Sequence, residues 1–385
     1  MSAYDDDLVT VEHLLAAHPE YGDARVITLK ATEFYRFALD LLSERSAKVA
    51  ELADGLRDST GEVPLPLVED PLVRVTLDEA VSRLEQGFLD ESAWTEVVTM
   101  LHLVSDAVQE AGRAVPPSAW EASRGLTVRT GGRDPDPWLW AGGPDGGTST
   151  PLTRTFLATF ERDFLRGIGG DLLRPTDRMR RQLDDGFAAL GALLPELGAS
   201  VGAHYVGVGV VDVRTKGETF LAGNVGRIPS VVFFSENRMA HPWRLAETAL
   251  HEGLHLKLFD IQRSASVFAE PDRLPDGPKV KVPWLKWASM VAPNEWALDR
   301  ALGAFHVYAH LVLFRQALQT RMTPELVARF GEPEVDDPPS LYRFAPERAR
   351  YLGEEILARG AGALTDHGHD FVTWLLDAVK ESARV

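Results

Sequence analysis

Five residues, His251-Glu252-Gly253-Leu254-His255, read H-E-x-x-H. On a helix, side chains four apart share one face. Two imidazoles at that spacing can grip one metal ion from consecutive turns, with the Glu252 carboxylate beside it. Leu245, Ala249, Leu250, Leu254, Leu256 and Leu258 surround the motif and predict a buried helix from about Trp243 to Phe259. Buried histidines need partners. The plain alternative is therefore a core helix whose imidazoles bond to neighbouring carbonyls or carboxylates. The chain has no cysteine, so any metal must be held by histidine and oxygen, and disulfides and thiol nucleophiles are excluded.

Two histidines need a third ligand. Glu295, Asp299, His306 and His310 fall near one face of a helix predicted from Glu295 to about Thr320, with Asn294 as its N-cap. One assignment takes Glu295, as in a gluzincin-like peptidase, although the usual sequence around that glutamate is absent. The other takes His306, giving three imidazoles, with His310 as its neighbour four residues on. His306 is preferred because its flanks are apolar, whereas a carboxylate in a first helical turn has a simpler role against the helix dipole. The metzincin extension is missing: Leu256-Lys257-Leu258-Phe259-Asp260-Ile261 follows His255.

The elements around the motif follow from periodicity. Asp23–Leu56, Asp90–Ala114, Leu152–Arg166 and Thr176–Leu197 carry helical stripes, and Thr76-Leu77-Asp78-Glu79 reads as a capping box opening another helix. His102, within the Asp90–Ala114 stripe, reads as an ordinary helix residue. Gly and Pro crowd Thr130–Pro151, which reads as a long loop or a domain boundary. Tyr205–Val213, Glu218–Ala222 and Ile228–Phe234 read as three strands with hairpin-type connections. The last of them, just before the motif helix, offers a wall and an edge for an extended peptide. Pro271–Pro283 reads as loop, followed by a cluster of Trp284, Trp287 and Trp296. Glu347–Arg359 and Asp366–Arg384 read as helices, with His367 and His369 exposed after a Thr365 cap. Two regions are expected: a helical part over 1–145 and the metal-binding catalytic part over 146–385.

The 385 residues are 45% hydrophobic and 25% charged, with a formal net charge of −17. A nucleic-acid surface calls for a basic patch and is disfavoured; a basic or neutral peptide partner is compatible. Met1–Asp7 is acidic and lacks an apolar core, so it does not read as a signal peptide, and no run is apolar enough to span a membrane. A cytoplasmic protein is expected.

The stretch Leu245-Ala246-Glu247-Thr248-Ala249-Leu250-His251-Glu252-Gly253-Leu254-His255-Leu256-Lys257-Leu258 resembles the HExxH peptide-modification proteins of bacterial ribosomal-peptide gene clusters, the 2-oxoglutarate-dependent, iron-containing peptide β-hydroxylases. The Ser230–Ser235 strand, the segment around Trp284, and Asp299-Arg300 leading into Gly303 and His306 agree with it. The resemblance covers roughly Tyr205 to Leu318; where the family often has proline after the arginine, this chain has Ala301. It implies Fe(II) held by His251, His255 and the third ligand, with 2-oxoglutarate and O2 as cosubstrates and a precursor peptide hydroxylated on a side-chain carbon. The far carboxylate of 2-oxoglutarate calls for a cation, for which an arginine fork is suited. Arg300 is the first choice, with Lys286 and Arg315 as alternatives; a salt bridge to Glu295, Glu247 or Asp299 is the ordinary role for Arg300. Glu252 would orient a ligand or the substrate. In the competing reading, a Zn(II) metallopeptidase, Glu252 is the general base. A binding protein with a structural metal or none comes third. The expected fold is mainly α with a small β-sheet (α+β): a metallopeptidase-like motif helix on a short antiparallel sheet, not a double-stranded β-helix.

Overall fold

In the computed structural model, which describes residues 3–87, 90–111, 126–141, 151–213, 222–225, 228–271, 274–284, 295–333 and 344–382, the Val- and Phe-rich runs build one small sheet. Its strands are β1 (Trp138–Leu139), β2 (Gly170–Leu173), β3 (Gly207–Val213), β4 (Ala222–Val225) and β5 (Ile228–Ser235). β3 and β5 pair in parallel, with Gly207 opposite Val231. β4 runs antiparallel to β5, while β1 (parallel) and β2 (antiparallel) share the other side of β3. The sheet is therefore mixed, which corrects the expected antiparallel one. The physical reason lies in β3 and β5 themselves: nearly continuous apolar runs suit strands covered on both faces, the setting of parallel pairs. β5 is an inner strand between β3 and β4, so it offers no edge to a peptide. Of the expected Glu218–Ala222 strand, residues 214–221 lie outside the described residues, and Ala222 opens β4.

The helices, in chain order, are α1 (Ala3–Ala17), α2 (Ala24–Arg45), α3 (Ala47–Leu56), α4 (Leu65–Val68), α5 (Pro71–Glu85), α6 (Glu91–Ala111), α7 (Pro151–Phe160), α8 (Asp177–Leu193), α9 (Pro195–Gly202), α10 (Pro242–Ser264), α11 (Leu298–Thr320), α12 (Pro324–Phe330), α13 (Ala345–Gly360) and α14 (Asp366–Ser382). A two-stranded sheet, β6 (Lys279–Lys281) with β7 (Glu295–Ala297), stands apart. The molecule is thus mainly helical with a small mixed sheet. The strand pleat sends alternate side chains into two cores. Val208, Val210, Val232 and Phe234 join the core of α1, α8–α11, α13 and α14; Val211, Val213, Val231 and Phe233 join that of α3, α5, α6 and α7. α2 serves both, through Ile27 on one side and Tyr35, Leu39 and Leu42 on the other. Helices from before and after residue 145 therefore share both cores. The boundary expected there falls in 142–150, outside the described residues.

Local chemistry sets the element ends, and several differ from expectation. α5 starts at Pro71, not at Thr76: Asp70 accepts hydrogen bonds from the amides of Leu72 and Val73, and proline at the first position suits a helix start. Thr76 instead donates to the Leu72 carbonyl at 2.8 Å, in mid-helix. Ser46 divides Asp23–Leu56 into α2 and α3 and caps the second. Pro195 divides Thr176–Leu197, because the residue before a proline is driven out of the helical region. Glu295 lies in β7 and α11 begins at Leu298, so Glu295 is not in a first helical turn. Asn294 and Trp287 lie outside the described residues. Thr365 caps α14 as expected; His369 is exposed, but His367 is partly covered, its ring 4.9 Å from that of Tyr21. No helix among the described residues is long and apolar enough to cross a membrane.

Candidate metal centre

α10 carries the motif and is buried on all but one stripe. Besides Pro242, Arg263 and Ser264 at its ends, its accessible side chains are Arg244, Glu247, His251, His255, Phe259 and Gln262, at steps of three and four. Leu245, Ala246, Ala249, Leu250, Leu254, Leu258 and Ile261 bury the rest against α8, α2, α11 and β5. Gly253 lets α9 and the following loop come close. A Cβ there would stand 2.2 Å from Val201 and 2.7 Å from the Tyr205 ring, and the Tyr205 hydroxyl donates to the Ala249 carbonyl at 2.6 Å.

His251 and His255 converge: their Nε2 atoms are 3.3 Å apart, with ring planes inclined at 66°. An N–H···N hydrogen bond would be shorter, commonly near ~3.0 Å. Two nitrogens each about 2.1 Å from one ion stand roughly 3.0–3.4 Å apart at ligand angles of about 90–110°. The separation is compatible with the bite of a shared metal as well as with a long hydrogen bond. The Glu252 carboxylate is nearly buried and lies 3.9 Å from His251 Nε2.

α11 packs antiparallel to α10. Gly303 faces the His255 ring, 3.7 Å from where its Cβ would be, and His306 Nδ1 meets the Leu254 carbonyl at 3.1 Å. His306 and His310 are both fully buried. Each directs Nδ1 at a backbone carbonyl, that of Leu254 and that of His306, and in each Nε2 has no protein partner. Burial lowers both pKa values, His306 well below the usual range with His310 adding to the effect, and His310 to about 3. The fold thus brings His251, Glu252 and His255 together but does not add His306, His310 or Glu295 to them. Among the described residues, no three or more histidine or carboxylate side chains form a group able to hold a metal. His306 lies on the side of α11 that meets the Leu254 carbonyl and the Phe371 ring, not beside His251 and His255 on the accessible stripe.

Arg300 is exposed, its guanidinium 4.8 Å from the Trp296 ring centre. Lys286 lies outside the described residues. Sequence reasoning missed a second charged group on the stripe. Burial pushes the Glu247 carboxyl up to about 8, against the pull of Arg315 and Arg244. The signal was present, since Glu247 is four residues before His251. It also missed the polar back of α10. Lys257 donates to the Gly22 carbonyl at 2.7 Å and to Ser200 Oγ at 2.8 Å, and burial lowers its pKa to about 7. Asp260 binds Arg74 at 3.1 Å and His204 at 2.6 Å. Although burial opposes it, Arg74 and His204 hold Asp260 below its ordinary value. A charged pair on a face that should be apolar was the available clue. A cavity of about 660 Å³ between α1, α2 and α9 borders this network at Ser200 and contains none of the predicted site residues.

Neither a protein-family model nor a curated protein matches the chain.

Proposed function

We propose that the protein is an iron(II)- and 2-oxoglutarate-dependent oxygenase that hydroxylates a side-chain (β) carbon of a ribosomally made precursor peptide. The observation that carries a metal centre is the 3.3 Å approach of His251 and His255 on the accessible stripe of α10. The oxidative reading is supported by the likeness of Leu245–Leu258 to the HExxH peptide hydroxylases. When bound, iron with its keto acid and O2 supplies the oxidising chemistry. The chain supplies the rest. His251 and His255 would be two ligands, backed by a helix packed on its other faces. Gly303 leaves room for the His255 ring. Glu252, nearly buried beside His251, would orient a group at the metal by hydrogen bonding.

The position of Glu252 also favours a second reading, a zinc metallopeptidase, because a general base belongs beside the ligand pair. One experiment separates the two. Metal-free protein is titrated anaerobically with Fe(II) and then 2-oxoglutarate. Growth of a visible charge-transfer band that is lost in His251→Ala is the expected result. No band, together with zinc-dependent peptide cleavage abolished by Glu252→Gln, would replace this proposal with the peptidase.

A further inference from the structure

Tyr205 meets α10 from behind the histidine pair. At about 100° per residue, Ala249 and Gly253 project to one side of the helix, and His251 and His255 to the side opposite. The Tyr205 side chain lies on that rear side. Its hydroxyl donates to the Ala249 carbonyl at 2.6 Å and would stand 3.3 Å from a Cβ at Gly253. Within an α-helix the carbonyl of residue 249 pairs with the amide of residue 253, so the hydroxyl meets the turn that presents His251 and Glu252. The phenol is also within electrostatic range of the Glu252 carboxylate. Tyr205 itself is firmly held. It is fully buried, and the Phe187 ring meets it edge-on with centres 5.2 Å apart. On one side of it His204 binds Asp260 at 2.6 Å; on the other, the Val206 amide donates to the Ser230 carbonyl at 2.8 Å. Two consecutive residues, His204 and Tyr205, therefore hold α10 at Asp260 and at Ala249, on either side of the histidine pair and roughly 16 Å apart along the axis.

We propose that Tyr205 is a positioning residue for the histidine pair. Through Ala249 its hydroxyl fixes the height and rotation of the turn that carries His251, and so the bite that His251 and His255 offer a metal. This rests on reading the two histidines as metal ligands. The hydroxyl, not the ring, is what sets Tyr205 apart. Packing against Phe187 and Gly253 would be served by phenylalanine. A fully buried hydroxyl calls for a partner, and this one takes a carbonyl in the interior of α10 that the helix already satisfies. The bond therefore adds a constraint on the turn instead of filling a gap in the backbone ladder. Groups that orient metal ligands from outside the coordination sphere contribute about 10- to 100-fold to affinity. Tyr205 does this through the helix, from the face opposite the ligands.

The test uses the full chain, freed of metal and titrated with Co(II), whose d–d absorption reports ligand geometry. The wild type is expected to bind with bands that His251→Ala abolishes. Tyr205→Phe keeps the ring and removes only the hydroxyl. It should bind Co(II) about tenfold more weakly, with shifted bands. General loosening of the molecule is controlled by Leu101→Ala, which opens a gap in the other core. That variant should unfold at lower denaturant yet keep the wild-type affinity and bands. Wild-type affinity and bands in Tyr205→Phe would overturn the positioning role while the metal reading stands, and so would an equal loss in Leu101→Ala. A wild type without His251-dependent bands removes the metal reading itself, and the role of Tyr205 with it.

Discussion

At the scale of single residues, Gly253 and the buried histidines make the sharpest predictions. Gly253→Ala would gain up to ~1 kcal/mol in helix propensity. Its methyl, however, meets Val201 and Tyr205 at under 3 Å, and overpacking of that kind costs about 1–3 kcal/mol. A net loss of stability is expected by denaturant titration, relieved in part by a second change, Val201→Ala; a neutral Gly253→Ala would mean that α9 yields easily. His306 and His310 predict a pH dependence. Both are kept neutral in the fold, below the ordinary 6.5. The unfolded chain takes up their protons below that pH. Their contribution is therefore fully present above about 6.5 and is lost as pH falls, for His310 toward about 3, by up to about 1.4 kcal/mol per unit for each ring. Thermal unfolding should show a Tm that falls less steeply between pH 6.5 and about 4.5 in His310→Leu than in the wild type. Equal slopes would rule the pair out as the cause.

Among the elements, α10 and α11 decide whether the histidine pair is held in place. Gly303→Ala places a methyl at ordinary contact distance from His255, so it should fold normally and gain up to ~1 kcal/mol. Gly303→Val should push the His255 ring and weaken metal binding by about tenfold or more, measured by competition with a chelating dye. Unchanged affinity would show that the ring has room to move. The motif helix, its buried faces and its accessible stripe were all legible from spacing, because α10 is long and its apolar period is strong. Element ends were less legible. Asp70-Pro71 was a stronger start than the capping box six residues on, and Glu295 reads as a helix start until β6 claims it as a strand partner. The parallel pairing of β3 and β5 depends on which layers cover them, which no local pattern records. The surroundings of His306 were illegible for a related reason: periodicity gives a face, but the neighbouring helix determines what that face meets.

For the whole molecule, the buried pair of Arg74 and Asp260 ties α5 to the end of the motif helix α10, with Ser230 near the start of β5 also accepting from Arg74 at 2.8 Å. Arg74→Met leaves the buried Asp260 with His204 as its hydrogen-bond partner and only the more distant charge of Arg133, and removing one partner of such a pair costs about 3–5 kcal/mol. The variant should unfold at markedly lower denaturant; an unchanged midpoint would show that His204 alone satisfies the carboxylate. This long-range tie was invisible in the sequence, because residues 186 apart share no pattern. The shared cores have a consequence for synthesis. Leu8, Val11 and Leu15 of α1 are buried with Phe371, Val372 and Leu375 of α14. About 350 residues separate the end of α1 at Ala17 from the start of α14 at Asp366. At ~5–20 residues per second, the ribosome takes roughly 20–70 s to deliver that partner, and until then the apolar face of α1 has only its earlier-made neighbours, such as α9 and α11, to cover it.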